Sequence, residues 1–283
     1  AELRASVTRP GMGRALTVYQ QVHPRSEQGS ARAEHALLER LHRWVSEDIP
    51  VIVVTDAGFR RRWFAHLEQL GWSWIGRIRG QVELAHGEGA WVKAARWFER
   101  ANGKARRWCD CRLTRSHAFD CALVLVRKRP RQAPRYACPR QGSPTTVARK
   151  AQRSAREPWL LAHSPRLCHY RPEQIVAMYA QRMQIEENFR DTKCAQLGMG
   201  LERSRSRSAQ RLHALLLIAT LAGFVLWHIG QLAEAEGLQR RFKSTTRSTR
   251  EISIITLALL LCTQPRIPLS DHARSTLFVR LGL

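Results

Sequence analysis

The chain has 283 residues, 44% of them hydrophobic, which is enough for one large domain or two modest ones and argues against a disordered segment. Lys and Arg number 47 against 23 acidic residues, so the formal net charge is +24 at pH 7. Because the positive residues are spread along the whole chain, the charge indicates a nucleic-acid partner and argues against a protein that lies on a membrane through one basic helix.

Two short strands are predicted at the start of the chain. Residues 3–8 and 14–22 have β character, and a segment that contains Pro10 and Gly13 supplies a turn between them. An amphipathic helix is predicted next, with Ser30 as its N-cap.

The apolar run at residues 51–54 predicts a strand that is buried on both faces, with Asp56 at its carboxyl end. A helix that stops at Gly71 and a further strand, WSWIGRIRG, follow it, and this order is typical of an α/β sheet. A charged carboxylate at the end of a buried strand costs free energy unless a cation or donor groups meet it. Strand ends are also where α/β sheets bind ligands, so Asp56 is a candidate site residue. The alternative is an N-cap for the helix that begins near Phe59.

The middle of the chain is predicted to be rich in short strands from residue 81 to about residue 129. Residues 127–156 then contain ten Lys or Arg and no acidic residue, which predicts an extended basic linker. One more strand is predicted after Pro158. The apolar run at residues 212–230 comes close to the roughly 20 residues that span a bilayer, but a helix buried in a soluble core has the same pattern, and we favour the core helix.

The stretch YAQRMQIEENFRDTK, residues 179–193, is predicted to be one helix. At 100° per residue, Tyr179, Arg182, Glu186 and Lys193 share a stripe about 60° wide. Spacing alone favours a salt-bridged surface in which Arg182 and Glu186 form an i,i+4 pair. The other interpretation is a set of groups that bind a phosphate. Asp56 supports it, since carboxylates from two elements can hold Mg²⁺ together with water and phosphate oxygens.

The spacing Tyr-x2-Arg-x3-Glu-x6-Lys resembles the signature of DDE transposases of the insertion-sequence-four family, and Tyr179, Arg182, Glu186 and Lys193 match every element of it. The segments LRASV, VTDAGF, LGWSWIGRIRG, EPWLLA and QRMQIEENFRDTK are similar to segments of the insertion-sequence-ten type transposases. The resemblance runs over most of the chain and is least clear in the last forty residues.

An α/β, ribonuclease-H-like core, interrupted by a β-rich insertion and followed by a helical C-terminal region, is the fold that this resemblance implies. The two parts of the core are predicted at residues 1–80 and 158–205, the insertion and basic linker at 81–157, and the helical region at 206–283. The family carries its first catalytic Asp on a strand just before LRASV, whereas no Asp precedes Asp48 in these residues. With that core strand missing, we expect weak metal binding and little or no cleavage by the 283 residues alone.

Cut-and-paste DNA transposition is the activity that the resemblance implies, with metal-dependent hydrolysis and strand transfer at transposon ends. The cofactor would be Mg²⁺, with Mn²⁺ as an alternative, and Asp56 and Glu186 would be two of three acids that hold it. By the same resemblance, Tyr179, Arg182 and Lys193 would bind phosphates at the transposon end.

Trp159 would be the aromatic residue that stacks against a flipped base, since flipping exposes a face that an aromatic ring can hold. A Trp packed in the core at the start of a strand is an equal alternative. The implied partners are double-stranded DNA at the transposon ends and at the target, bound by a homodimer that assembles on DNA, with no membrane.

Two other functions fit the same residues. One is a transposase-derived DNA-binding protein without catalysis, which would inhibit a full-length partner, and the other is a nuclease of the same fold that does not transpose.

The seven cysteines have irregular spacing, which argues against a secreted disulfide framework and favours the cytosol. The resemblance to transposases implies the bacterial cytoplasm, at the nucleoid. Cys109, Cys111, His117 and Cys121 have a C-x-C-x5-H-x3-C spacing that is uncommon for zinc. We therefore expect packed thiols on strands of the insertion.

Overall fold

The structure is a computed structural model that describes residues 2–8, 10, 13–128, 157–194, 199–206, 208–242, 252–264 and 269–282. It divides into two compact units. We call Gly29–Ala180 the sheet unit, and Ala1–Gln28 together with Gln181–Leu283 the hairpin unit. The predicted basic linker lies outside the described residues apart from Arg127 and Lys128.

The strands of the described residues are β1 Glu2–Val7, β2 Leu16–Val22, β3 Ile52–Thr55, β4 Ser73–Arg77, β5 Glu83–His86, β6 Val92–Lys93, β7 Arg106–Leu113, β8 Phe119–Val126 and β9 Trp159–His163. The α-helices are α1 Ala31–His42, α2 Arg61–Gln69, α3 Ala94–Phe98, α4 Pro172–Gln181, α5 Met183–Lys193, α6 Ala209–Ala235, α7 Ile254–Thr263 and α8 Asp271–Leu281. The chain is therefore of mixed α/β type.

A seven-stranded mixed sheet in the order β3-β4-β9-β8-β7-β5-β6 forms the sheet unit. β3 and β4 are parallel, and the other neighbours are antiparallel. The strands predicted for the insertion, β5 to β8, are hydrogen-bonded into the same sheet as β3, β4 and β9. The prediction that β3 is buried on both faces is wrong, because β3 is an edge strand of this sheet and residues 52–54 are only half-buried.

Helix α2 packs against β4 through the ring of Phe64, which stacks on Trp74 at a centroid distance of 4.2 Å. This close approach depends on Gly76, since a Cβ there would lie 2.4 Å from Phe64 Cζ. The helix ends as predicted at Gly71, whose φ of 74° lies in the left-handed region that glycine adopts readily. The amide of Trp72 donates to the carbonyl of Leu67 at 2.9 Å, which completes a Schellman cap.

The hairpin unit confirms the two predicted strands, which form an antiparallel pair, β1 and β2. The helix predicted at residues 212–230 is α6. It is the one helix among the described residues that is long and apolar enough to cross a membrane, a test that core helices of soluble proteins also pass. The sequence favoured a helix buried in a soluble core, but only 17% of its most apolar stretch is buried, so the expected burial is wrong.

Two further elements differ from the sequence prediction. Within WVKAARWFER, part of the region predicted to be rich in short strands, only Val92 and Lys93 are extended, and α3 follows directly. The helix expected over residues 179–193 is two helices, α4 and α5, with Arg182 between them. Arg182 itself keeps helical dihedral angles, with φ −53° and ψ −27°. Helix α4 packs in the core of the sheet unit, and α5 bonds to the hairpin.

Candidate active site

Asp56 follows β3 directly and has an exposed side chain. Its Oδ1 accepts a hydrogen bond from the amide of Gly58 at 2.8 Å, which forms a turn closed by the side chain. Helix α2 begins only at Arg61, and its N-cap, Arg60, makes no side-chain capping bond. The N-cap interpretation of Asp56 is therefore wrong. The argument from the cost of a buried carboxylate is wrong as well, because Asp56 faces solvent, where it is accessible to a cation.

Tyr179 lies in α4 and is only 2% exposed. Its ring belongs to the apolar core of the sheet unit, together with Ile75 and Leu161. It meets the ring of Trp159 edge to face, with a centroid distance of 4.9 Å. The ring of the signature tyrosine, Tyr179, therefore packs in the core of the sheet unit.

Trp159 opens β9 and is half-buried against the same core. The ammonium group of Lys128 lies over its ring, 3.9 Å from the ring centroid. Trp159 thus has one contact of the kind expected for a core residue and one of the kind expected for an exposed aromatic face. Both interpretations of Trp159 stay open.

Arg182 and Glu186 form an ion pair at the start of α5. The guanidinium Nη2 donates to Glu186 Oε1, and the Glu186 side chain is 47% exposed. This is the i,i+4 pair that the interpretation of the helix as a salt-bridged surface predicted. The same contact places a positive charge next to a solvent-facing carboxylate, which a phosphate-binding site also requires.

Lys193 is the last residue of α5 and is exposed. Its ammonium group lies 5.6 Å from the centroid of the Phe189 ring. A cation at a helix C-terminus is favourable by itself because of the helix dipole. The position of Lys193 is thus compatible with either role.

The opposite face of α5 is fastened to the hairpin by residues that the sequence interpretation missed. Asn188 donates to the Ala15 carbonyl at 3.0 Å. Arg14 forms a bidentate pair with Asp191, which is 5% exposed, and the Nη2 to Oδ1 distance is 3.2 Å. Asn188 and Asp191 lie about 140–200° around the helix from Glu186. A helical-wheel plot would therefore have shown a second polar face on the side of α5 opposite Glu186. The hairpin is therefore bonded to the face of α5 that points away from Glu186.

The predicted site residues fall into two sets. Asp56, Trp159 and Tyr179 belong to the sheet unit, and Arg182, Glu186 and Lys193 to the hairpin unit. Within each set, the structure brings Trp159 together with Tyr179 and Arg182 together with Glu186.

The available donor groups suit a hard cation. Among the described residues, no group of three or more His, Cys, Asp or Glu side chains is close enough to hold a metal ion. Asp56 and Glu186 both carry solvent-facing carboxylates. Mg²⁺ is commonly held by one or two carboxylates together with water and phosphate oxygens, so these two residues fit its chemistry.

Cys111 and Cys121 are buried, as expected for packed thiols, and face each other across β7 and β8. Burial raises the pKa of Cys111 to about 12 and the pKa of Cys121 well above its ordinary value. Both thiols are therefore protonated near neutral pH when no metal ion is bound. Cys109, on the other hand, is exposed.

Comparison with known proteins gives one family. The family model described as a transposase DDE domain matches residues 8–223 of the chain. The matched segment contains all six predicted site residues. No curated protein matches the chain.

Proposed function

Because the chain belongs to the transposase DDE-domain family, we propose that it is a cut-and-paste DNA transposase of the insertion-sequence-four family, closest to the insertion-sequence-ten type. The reaction would be metal-dependent phosphodiester hydrolysis followed by strand transfer at transposon ends. The observation that carries this proposal is the solvent-facing Glu186 carboxylate, which lies beside Arg182 on a helix that the signature also matches.

Asp56 and Glu186 are the residues that would hold the metal ion, Mg²⁺ or Mn²⁺, in this proposal. The bound metal would generate a nucleophile from water or a DNA hydroxyl and would stabilise the leaving oxygen. Arg182 has a separate task. Its guanidinium shares the surface of α5 with Glu186 and can pair with a phosphate through two parallel hydrogen bonds when DNA arrives. Lys193 adds a second, exposed cation to the same helix.

Trp159 and Tyr179 act together on the DNA end in this proposal. The edge-to-face contact fixes the Trp159 ring on the core of the sheet unit. A flipped base that stacks on the face covered by Lys128 would have to displace the ammonium group, which can then pair with a phosphate. Tyr179 therefore contributes mainly by holding the Trp159 ring.

Double-stranded DNA at the transposon ends and at the target is the proposed partner, bound by a homodimer that assembles on DNA at the nucleoid in the bacterial cytoplasm. The formal charge of +24 supports a polyanionic partner. Binding should weaken steeply as salt rises, because Lys and Arg release counterions from DNA. The change Lys193→Ala should flatten the slope of log affinity against log salt by about one unit if Lys193 contacts a phosphate. An unchanged slope would remove Lys193 from the interface.

The catalytic role of Glu186 can be tested with a neighbouring glutamate as a matched control. In a full-length version that carries the upstream Asp, Glu186→Gln should abolish Mg²⁺-dependent cleavage of end-containing DNA and leave DNA affinity within about threefold, since one carboxylate ligand is lost and the fold is kept. Glu187→Gln alters the next residue of α5, whose carboxylate pairs with Arg190 at 2.8 Å, and should leave cleavage nearly unchanged. Cleavage by the Glu186 variant, or equal loss in both variants, would show that Glu186 is not a metal ligand. Nicking without regard to sequence would indicate a nuclease that does not transpose.

The second candidate function is that of a DNA-binding protein without catalysis. Such a protein would inhibit a full-length partner by occupying transposon ends. It is favoured by the described residues, among which no group of three or more His, Cys, Asp or Glu side chains is close enough to hold a metal ion. The coding sequence upstream of Ala1 separates the candidates. An in-frame strand that carries Asp about ten to fifteen residues before Leu3 supports the transposase. A stop codon at that position supports the inhibitor.

A further inference from the structure

Two free thiols of the sheet unit lie close together outside the candidate active site. The Sγ atoms of Cys109, on β7, and Cys168 are 3.9 Å apart, although 59 positions separate the residues in sequence. Cys109 is exposed and Cys168 is half-buried. A disulfide bond requires about 2.05 Å between the sulfurs, so a movement of about 2 Å would join them.

The local backbone explains why the two thiols meet. The register of β7 against β8 shifts between Trp108 and Cys111, and Asp110 has a φ of 52°. This bulge inserts Cys109 and Asp110 into the strand, and bulges re-aim side chains at strand edges and sites. Cys168 in turn closes a short 3-10 helix, Pro165–Leu167, by donating its amide to the Pro165 carbonyl at 3.0 Å.

A third residue already fastens these segments to each other. Arg107, two residues before Cys109 on β7, donates to the carbonyl of Cys168 at 2.7 Å and also to the carbonyl of Tyr170. Two strong bonds from one guanidinium thus hold the Cys168 segment against β7. A covalent bond between the sulfurs would add to a contact that exists, with no need to bring distant parts of the chain together.

We propose that Cys109 and Cys168 are an oxidation site that forms a reversible intramolecular disulfide when the protein meets hydrogen peroxide. In the first step the Cys109 sulfur attacks peroxide, which cleaves the O–O bond and gives a sulfenic acid and one water. In the second step the Cys168 sulfur displaces the sulfenic oxygen as a second water, and the S–S bond forms. Two thiols are oxidised and one peroxide is reduced, and a dithiol reductant reverses the change.

The order of the two steps follows from the surroundings of each thiol. Burial and the adjacent Cys109 raise the pKa of Cys168, which keeps it protonated, and Cys109 is the more exposed of the two. Peroxide therefore reaches Cys109 first, and Cys168 acts as the resolving thiol. Because cytoplasmic thiols are kept reduced, the bond would respond to oxidative conditions and would not be a permanent crosslink.

The consequence of the bond would be local. It would tie β7 to the segment at residues 168–171, which leads directly into α4 and its Tyr179. The 59-residue separation also means that the bond would restrict the unfolded chain strongly. Oxidation is therefore expected to raise the melting temperature of the full chain by several degrees, about 5 °C.

Peptide mapping of the full chain tests the proposal. After mild peroxide treatment, blocking of remaining thiols and digestion with trypsin, we expect residues 108–112 and 167–182 to be joined, because trypsin does not cleave between Arg171 and Pro172. The crosslinked pair should disappear after treatment with dithiothreitol. It should also be absent from Cys109→Ser and from Cys168→Ser, and present in Cys111→Ser.

Controls distinguish this pair from general oxidation. Cys262 is also exposed, and Cys262→Ser should leave the crosslink intact. A crosslink that survives Cys109→Ser would show that the buried Cys111, on the same peptide, is the partner and would overturn the proposal. Over-oxidised Cys109 with free Cys168 in the wild-type chain would also overturn it, and this outcome does not depend on whether any variant folds.

Discussion

The sheet unit and the hairpin unit bury their apolar side chains to different extents. In the sheet unit, β8 and β9 supply a continuous core in which Leu123, Leu160 and Leu161 are fully buried. In the hairpin unit, the long helix α6 leaves Ile218 and Leu221 about 60% exposed, at 62% and 59%. The comparison shows that the unit with Asp56 has a self-contained core, whereas the unit with Glu186 is built around a helix with an uncovered apolar face.

The largest expected effect is in the core of the sheet unit. Phe64→Ala should lower the free energy of unfolding by about 3–5 kcal/mol, because it removes a buried ring stacked on Trp74 and leaves a cavity. Hydrogen exchange at the β4 amides, compared with urea unfolding, would measure the loss. A loss under about 1 kcal/mol would mean that this core is less well packed than the structure indicates.

Adjacent leucines of α6 provide the sharpest test of the uncovered face. Leu216 is 2% exposed and Leu217 is 50% exposed. Leu216→Ala should cost about 3 kcal/mol, since a buried side chain leaves a cavity, and Leu217→Ala should cost less than about 1 kcal/mol. Chemical denaturation of both variants compares them on one helix. Equal losses would mean that the outer face of α6 is covered in solution.

A buried histidine makes the stability of the sheet unit depend on pH. Burial in β9 lowers the pKa of His163 to about 4, from an ordinary value near 6.5. Between pH 6.5 and pH 4, His163 is therefore protonated in the unfolded chain and neutral in the folded chain. The contribution of the neutral His163 to stability is complete above pH 6.5 and is lost as pH falls toward 4. The loss is about 2 kcal/mol between pH 7.5 and pH 5. Urea unfolding at both pH values should show it, and His163→Gln should remove most of this difference.

The smallest effect is expected at the exposed ion pair. Glu186→Gln should change the free energy of unfolding by no more than about 0.5 kcal/mol, because the Glu186 side chain is about half exposed and solvent screens its pairing with Arg182. Thermal unfolding of the variant measures this, and the result also supports its use in the cleavage assay. A loss of several kcal/mol would mean that the carboxylate has a structural partner in addition to Arg182.

Several elements could be predicted from the sequence because their signals are local. Gly71 stops α2, and the alternation and turn residues around β1 and β2 specify a hairpin. The boundary between α4 and α5 at Arg182 has no local signal, since neither Gly nor Pro occurs there and the dihedral angles of Arg182 are helical. The burial of β3 also could not be predicted, because an apolar run does not show whether a strand lies at the edge of its sheet.

The parts of the candidate site that follow from local spacing could be predicted from the sequence. The parts that depend on tertiary contacts could not. Glu186 and Arg182 form the pair that their spacing indicates. The burial of Tyr179 was not foreseen, because helical spacing places its side chain on a stripe but does not show whether that part of the stripe packs in a core. The contact between Cys109 and Cys168 could not be predicted from the sequence, since a bulge and a short 3-10 helix bring together two residues that are 59 positions apart.

The uncovered face of α6 has a consequence for the behaviour of the protein in solution. Ile218, Leu221 and Phe224 form an apolar patch on a chain whose formal charge is +24. At low ionic strength, like charges keep copies of the chain apart, and at high ionic strength this repulsion is screened while the attraction between apolar patches persists. We therefore expect the colloidal stability of the chain to be electrostatic in origin, so that salt or a polyanion controls whether the copies remain dispersed.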